Sequence, residues 1–243
     1  MLALLAAAPA VGQDGDKKPD RMLRILAVGE SPPYAEKIID GKRVEQEPPK
    51  GSIPPRRVVP LGKEGQERGE PVRVQLGRLS APIPVGPGSV PLHESGAGGV
   101  DPKPWHQVKV PRATHALALL WRDPSDPWSK PRSMTLRDDI SSFPAGRVRV
   151  VNVSPFTVGL RIKGKDYKVA PYKTTMLAQN GQTQLVVALQ GKGKWHKVYD
   201  SVLNQRATER TNVVIYKADR KDSRSPAKVL VMPERAKLAR LPR

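Results

Sequence analysis

An all-β chain made of two tandem copies of one sandwich is what the sequence predicts, and three observations predict it. Short β-branched runs end at proline, tight-turn signals separate apolar segments at hairpin spacing, and one half of the chain repeats in the other in the same order. Val148, Val150, Val151 and Val153 form an apolar strand that stops at Ser154-Pro155, where proline cannot continue a ladder. Leu160-Arg161-Ile162 and Asp166-Tyr167-Lys168-Val169 flank Lys163-Gly164-Lys165, which reads as a tight hairpin. Asn180-Gly181 then separates a strand over residues 174–177 from one over 185–189, and two more fit residues 211–217 and 228–232. That makes about seven short strands with turn signals throughout, the rhythm of a sandwich. Helical periodicity is nearly absent; residues 234–240, after Pro233, fit a short helix.

The repeat carries the prediction to the first half. At an offset of 123, Arg24/Arg147, Val28/Val151, Ser31/Ser154, Pro32/Pro155, Ile39/Ile162, Gly41/Gly164 and Lys42/Lys165 are identical. Trp105-His106-x-Val108 then matches Trp195-His196-x-Val198. A third block, at an offset of 95, pairs Ala118-Leu119-Leu120-Trp121 with Val213-Val214-Ile215-Tyr216, and Pro131 with Pro226. Three blocks in the same order point to two copies of one unit. The expected boundaries are residues 21–137 and 147–232, joined by a short linker at 138–146 and followed by a basic tail at 233–243. In the first copy Ile38-Ile39-Asp40-Gly41-Lys42 supplies the matching hairpin. Two insertions lengthen this copy: residues 45–70, and residues 77–104 with six Pro and six Gly. The second should be an extended loop without regular structure.

Residues 1–20 read as a signal peptide and polar spacer. An apolar stretch ends at Ala8-Pro9-Ala10, the small-x-small pattern of a cleavage site, although no basic residue precedes Lys17. The expected location is therefore exported, in the periplasm, outside the cell or at the cell envelope. No apolar run reaches the roughly 18 residues of a membrane span.

The chain carries a net charge of +19, and the charge is uneven. Residues 147–232 hold 17 Lys and Arg against five Asp and Glu, whereas residues 1–146 hold 21 against 17. Cations gathered on one module raise the local concentration of a polyanion. Lys163, Lys165, Lys192, Lys194 and Lys197, in turns and strand ends of the second copy, are the candidate polyanion-binding residues. Anionic polysaccharide or another acidic envelope component fits them, and an envelope protein is a further candidate partner. Export argues against nucleic acid, although Tyr167, Tyr172, Trp195 and Tyr199 lie among the lysines.

Signatures of chemistry are missing. Without cysteine there is no disulfide, thiolate metal site or cysteine nucleophile. No HExxH, DxDxDG, GxSxG or SxxK occurs, and Gly191-Lys192-Gly193-Lys194 lacks the GxxxxGK[ST] spacing of a phosphate cradle. The repeated Trp-His pairs read as one core aromatic beside one surface residue, because strand neighbours point to opposite faces. No catalytic residue, metal ligand or cofactor is expected. The rival reading is a hydrolytic or carbohydrate-active enzyme on the first-copy loops, which would need groups such as His93, Glu94 and Asp101 to converge.

The string Arg147-Val148-Arg149-Val150-Val151-Asn152-Val153-Ser154-Pro155 resembles the opening of a domain-of-unknown-function family of exported bacterial β-sandwich repeats. Those repeats begin near V-R-V-V-H-A-S-P and continue into a hairpin, matched here by Leu160-Arg161-Ile162-Lys163-Gly164; Asn152 and Val153 replace the family's His and Ala. The resemblance implies immunoglobulin-like sandwiches without known catalysis. The expectation is thus two tandem divergent immunoglobulin-like domains acting as a non-catalytic envelope or surface interaction protein.

Overall fold

A computed structural model describes residues 21–61, 69–86, 88–96, 103–191, 193–220 and 222–236. The signal-peptide reading of residues 1–20 lies outside them, as do Lys192 and Asp101. Among the described residues all regular structure longer than a single turn is strand, and no helix is long and apolar enough to cross a membrane. The first half contains β1 (Arg21–Ala27), β2 (Glu36–Ile39), β3 (Lys42–Glu45), β4 (Arg57–Pro60), β5 (Val72–Arg73), β6 (Ile83–Val85), β7 (Gly88–Glu94), β8 (His106–Val110), β9 (His115–Trp121) and β10 (Arg132–Arg137). The second contains β11 (Arg147–Asn152), β12 (Val158–Ile162), β13 (Lys165–Val169), β14 (Thr174–Ala178), β15 (Gly181–Gly191), β16 (Lys194–Gln205), β17 (Glu209–Lys217) and β18 (Ala227–Arg235).

Four of the sheets form two pairs of matching topology. In the order β10-β9-β1-β6, β1 runs parallel to β9 and antiparallel to β6. In β18-β17-β11-β14, β11 runs parallel to β17 and antiparallel to β14. The fully antiparallel sheets β5-β4-β7-β8 and β13-β12-β15-β16 correspond in the same way. Register refines the repeat: Ala27 stands opposite Leu120 where Asn152 stands opposite Ile215. The first strands therefore correspond at an offset of 125 rather than 123, which makes Arg24 the counterpart of Arg149. A two-residue shift keeps each side chain on its face, so the mismatch is invisible to hydrophobic pattern.

Three apolar clusters separate the four sheets into layers. Leu23, Ile25, Val58, Leu92, Val108 and Leu120 fill the first half. Val148, Val150, Leu160, Leu185, Val187 and Val213 fill the second. The third cluster takes the opposite faces of the same inner strands, with Leu26, Leu117 and Leu119 meeting Val151, Val153 and Val214. The inner sheets are thus buried on both sides, and β1, β9, β11 and β17 read as near-continuous apolar runs for that reason.

Several expectations need correction. Residues 77–104 are not a structureless loop: they hold β6 and β7. Proline is accommodated because β6 is an edge strand, and Pro91 sits where β4 ends, its carbonyl accepting from the Leu61 N–H at 3.1 Å. Residues 45–70 are not a mere insertion, since β4 occupies the sheet position that β12 fills in the second half. The Asp40-Gly41 hairpin forms as expected, both residues having positive φ, but β2 and β3 stand apart as a two-stranded sheet with every residue exposed. Residues 234–235 belong to β18 instead of a helix, held by pairing with Glu209 and Arg210.

Candidate functional site

The sheet β13-β12-β15-β16 turns Leu160, Ile162, Leu185, Val187 and Leu189 into the core, which leaves the alternate residues on an open outer face. The expected lysines divide between its two ends. Lys163 makes the β12–β13 turn with Gly164, both at positive φ, and Lys165 opens β13. Lys194 opens β16 beside Gly191, at the far end of β15. Seven residues of strand separate the two levels, about 24 Å at ~3.4 Å per residue. The four described candidates therefore form two groups: Lys194 and Lys197 share one end, Lys163 and Lys165 the other.

Not all of this charge is free. Lys197 Nζ lies 2.8 Å from Asp200 Oδ2, and Gln184 donates to Asp200 Oδ1 at 2.8 Å, which holds the Asp200 carboxyl below its ordinary range. Arg161 grips Asp166 through two bonds of 2.7 and 2.8 Å. Lys163, Lys165, Lys168 and Lys194 have no ion-pair partner among the described residues.

A cleft of about 430 Å³ opens at the Lys194 end. Phe156, Leu189 and Pro226 give it apolar walls, while His196, Lys197 and Arg224 stand around it. The sequence elements responsible are the β15–β16 hairpin and the residues leading into β18. Apolar walls beside cations suit an anionic group carried on a less polar body. Arg224 was not among the expected site residues, because its place in a Ser-rich connection carries no local signal.

The Trp-His pairs depart from the expected pattern. His106 and His196 each face a leucine across a hairpin, Leu92 and Leu189. Trp105 lies just before β8 and packs against the first core, donating from Nε1 to Trp128 O. His106 is half-buried, and burial lowers its pKa. Trp195 lies within β16, 48% exposed on the outer face, and His196 is exposed as well. Trp105 packs against a core, whereas Trp195 lies outside the second core. For the enzymatic rival, His93 is buried and its strand neighbour Glu94 is exposed, on opposite faces of β7. No group of three or more His, Asp and Glu able to hold a metal occurs among the described residues.

The largest group of buried charges lies in the expected linker. Asp138, 1% exposed, is bound by Arg24, by Arg149 Nη2 at 2.8 Å and by Arg210 Nη2 at 3.4 Å. Glu234 takes Arg24 Nη1 at 2.7 Å and lies 2.9 Å from Arg210 Nε. Phe143 completes the group: the guanidinium carbons of Arg149 and Arg210 stand 4.1 and 4.9 Å from its ring centre. Asp138, Arg149 and Arg210 are buried, and the cluster joins the two halves. One signal could have found it, an arginine inside an apolar strand in both copies, since buried arginine requires paired carboxylate. Compared with known proteins, the chain matches no family model and no curated protein.

Proposed function

We propose that this chain is a non-catalytic exported interaction protein of the cell envelope or surface, made of two tandem divergent immunoglobulin-like sandwiches, whose second sandwich contacts an anionic partner. The observation that carries this reading is the cleft between Phe156 and Pro226 with His196, Lys197 and Arg224 around it, on the half holding 17 basic against five acidic residues. Condensed counterions leave a polyanion when such cations dock, so affinity should fall steeply with salt. The resemblance of residues 147–155 to exported sandwich repeats supports the same reading.

The test is retention of the full chain on polygalacturonate and heparin columns, with neutral dextran as control. Wild type should bind both acidic matrices and elute with salt. Lys194→Gln combined with Arg224→Gln should reduce the log–log salt slope by about 1–2. Lys163→Gln with Lys165→Gln, at the other end of the sheet, should reduce it less. Absence of retention on either acidic matrix at low salt would sink the proposal.

A further inference from the structure

The outer face of β13-β12-β15-β16 carries one exposed aromatic ring on a floor that only glycine permits. Backbone pairing aligns Lys168, Gly159, Ala188 and Lys197 in a single row across the four strands. The two central side chains are minimal, and the two outer ones are cations. Trp195, on edge strand β16, reaches across β15 and lies on Gly159. A Cβ at residue 159 would stand 2.8 Å from Trp195 Cζ3 and 3.1 Å from Cε3, both on the six-membered ring. The ring is therefore seated on the backbone on one side and bare on the other, which agrees with its 48% exposure.

We propose that Trp195 is the stacking platform for a sugar ring of an acidic polysaccharide, a uronate-type pyranose, whose carboxylate is met by Lys168 or Lys197. The proposal rests on the anionic-partner reading above and assigns a ligand class to the outer face of the sheet whose end borders that cleft. A pyranose presents a flat C–H-rich face, which packs on an aromatic ring, and a rim of hydroxyls that need donors and acceptors. The surrounding face supplies both: Gln190 pairs directly with Trp195 across the ladder, and the Gln184 amide and Asp166 and Asp200 carboxylates lie on the same side. Asp200 uses one of the three N–H donors of Lys197, fixing the ammonium while leaving two for a ligand.

The number of aromatic platforms decides between ligand classes. A nucleic-acid strand needs successive platforms, and this face offers one. The hydroxyls of a sugar, which a nucleic-acid base lacks, can hydrogen-bond to the nearby carboxylates and amides. A solely structural role for Trp195, covering the exposed glycine, accounts for the seated side of the ring and leaves the bare side unused.

The experiment uses the full chain with polygalacturonate oligosaccharides, neutral dextran oligosaccharides and oligo(dT), read by tryptophan fluorescence and calorimetry. Trp121 and Trp128 are buried and Trp105 is half-buried, so a change on binding reports chiefly on Trp195. Polygalacturonate should perturb the emission, and Trp195→Ala should remove that change and weaken binding about ten-fold, within the range seen for aromatic stacking platforms. Gly159→Ala, which must lift the ring, should weaken binding with Trp195 still present; thermal melts confirm that both variants fold. Lys168→Gln with Lys197→Gln should flatten the salt dependence. Unchanged affinity in Trp195→Ala with salt-dependent binding intact would overturn the platform and leave the anionic-partner reading standing. No binding of any polyanion would end both. Tighter binding of oligo(dT) than of polygalacturonate, lost in Trp195→Ala, would overturn the sugar assignment.

Discussion

Asp138 is where single-residue chemistry matters most to this fold. Burial alone would raise its pKa, but Arg24, Arg210 and Arg149 together hold the carboxyl below its ordinary range. A carboxylate whose folded pKa is depressed contributes stability that is fully present above its unfolded pKa, near 3.9, and is lost as pH falls through the folded value. Asp138→Asn leaves three buried guanidiniums with Glu234 as their remaining carboxylate, and should cost about 3–5 kcal/mol at pH 7. Urea unfolding at pH 7 and pH 3 checks both statements: the variant should lose most at pH 7, and its deficit should shrink in acid. A deficit of equal size at both pH values would mean that shape, not charge, is what Asp138 supplies. At this scale the sequence was half legible. Arg24 and Arg149 stand out within apolar strands, while Asp138 and Glu234 look like ordinary surface carboxylates because Arg24, which binds both, lies 114 residues from one and 210 from the other.

Hairpins show how the same local signal acquires different worth from its surroundings. Asp40-Gly41 and Lys163-Gly164 make equivalent turns, each with two residues at positive φ. Yet β12–β13 is clamped by β15 and buries Leu160, Ile162 and Val169, whereas β2–β3 buries nothing and leaves Ile38 70% exposed. Gly164→Val forces a β-branched residue into left-handed backbone at the exposed turn of a hairpin whose strands are packed, and should cost about 1–3 kcal/mol in urea unfolding. Gly41→Val should change global stability by less than about 0.5 kcal/mol, because the hairpin can open without disturbing a core. Equal losses would show that β2–β3 is packed in solution. Turn chemistry was readable because it depends on two adjacent residues. Which hairpin joins a sheet was not, because β4–β5 competes for that position and its Pro- and Gly-rich surroundings resemble loop. The same resemblance hid β6 and β7, whose prolines fall on an edge strand and just past the end of the neighbouring β4.

At the scale of the molecule, the decisive feature is the layer of apolar side chains between the two inner sheets. Leu26, Val28, Leu117, Leu119 and Trp121 from one half meet Val151, Val153 and Val214 from the other, and all are buried. Separating the halves would expose this layer to water at roughly 25 cal/mol per Å² of apolar surface, and would also uncover Arg24, Arg149 and Arg210 around Asp138. A second tie closes another side of the contact. The Glu30 N–H donates to Asp219 at 2.6 Å, and the Asp219 N–H donates back to Glu30 at 2.8 Å. With these ties, neither half has a low-cost way to unfold while the other stays native. The full chain should therefore unfold in one transition, although its length would allow two. In the Trp195→Ala variant the fluorescence of Trp105, Trp121 and Trp128 reports on the first half, and the β-sheet signal of far-UV circular dichroism reports on both. The two urea curves should superimpose, with the same midpoint and slope. Fluorescence that completes its change at lower urea than circular dichroism would mean that the first half melts alone, and that the shared layer contributes little to either sandwich. A single transition carries a consequence for binding: a ligand seated on the outer sheet of the second half would raise the urea midpoint of the whole chain, because anything that binds only the native state stabilises every part that unfolds with it.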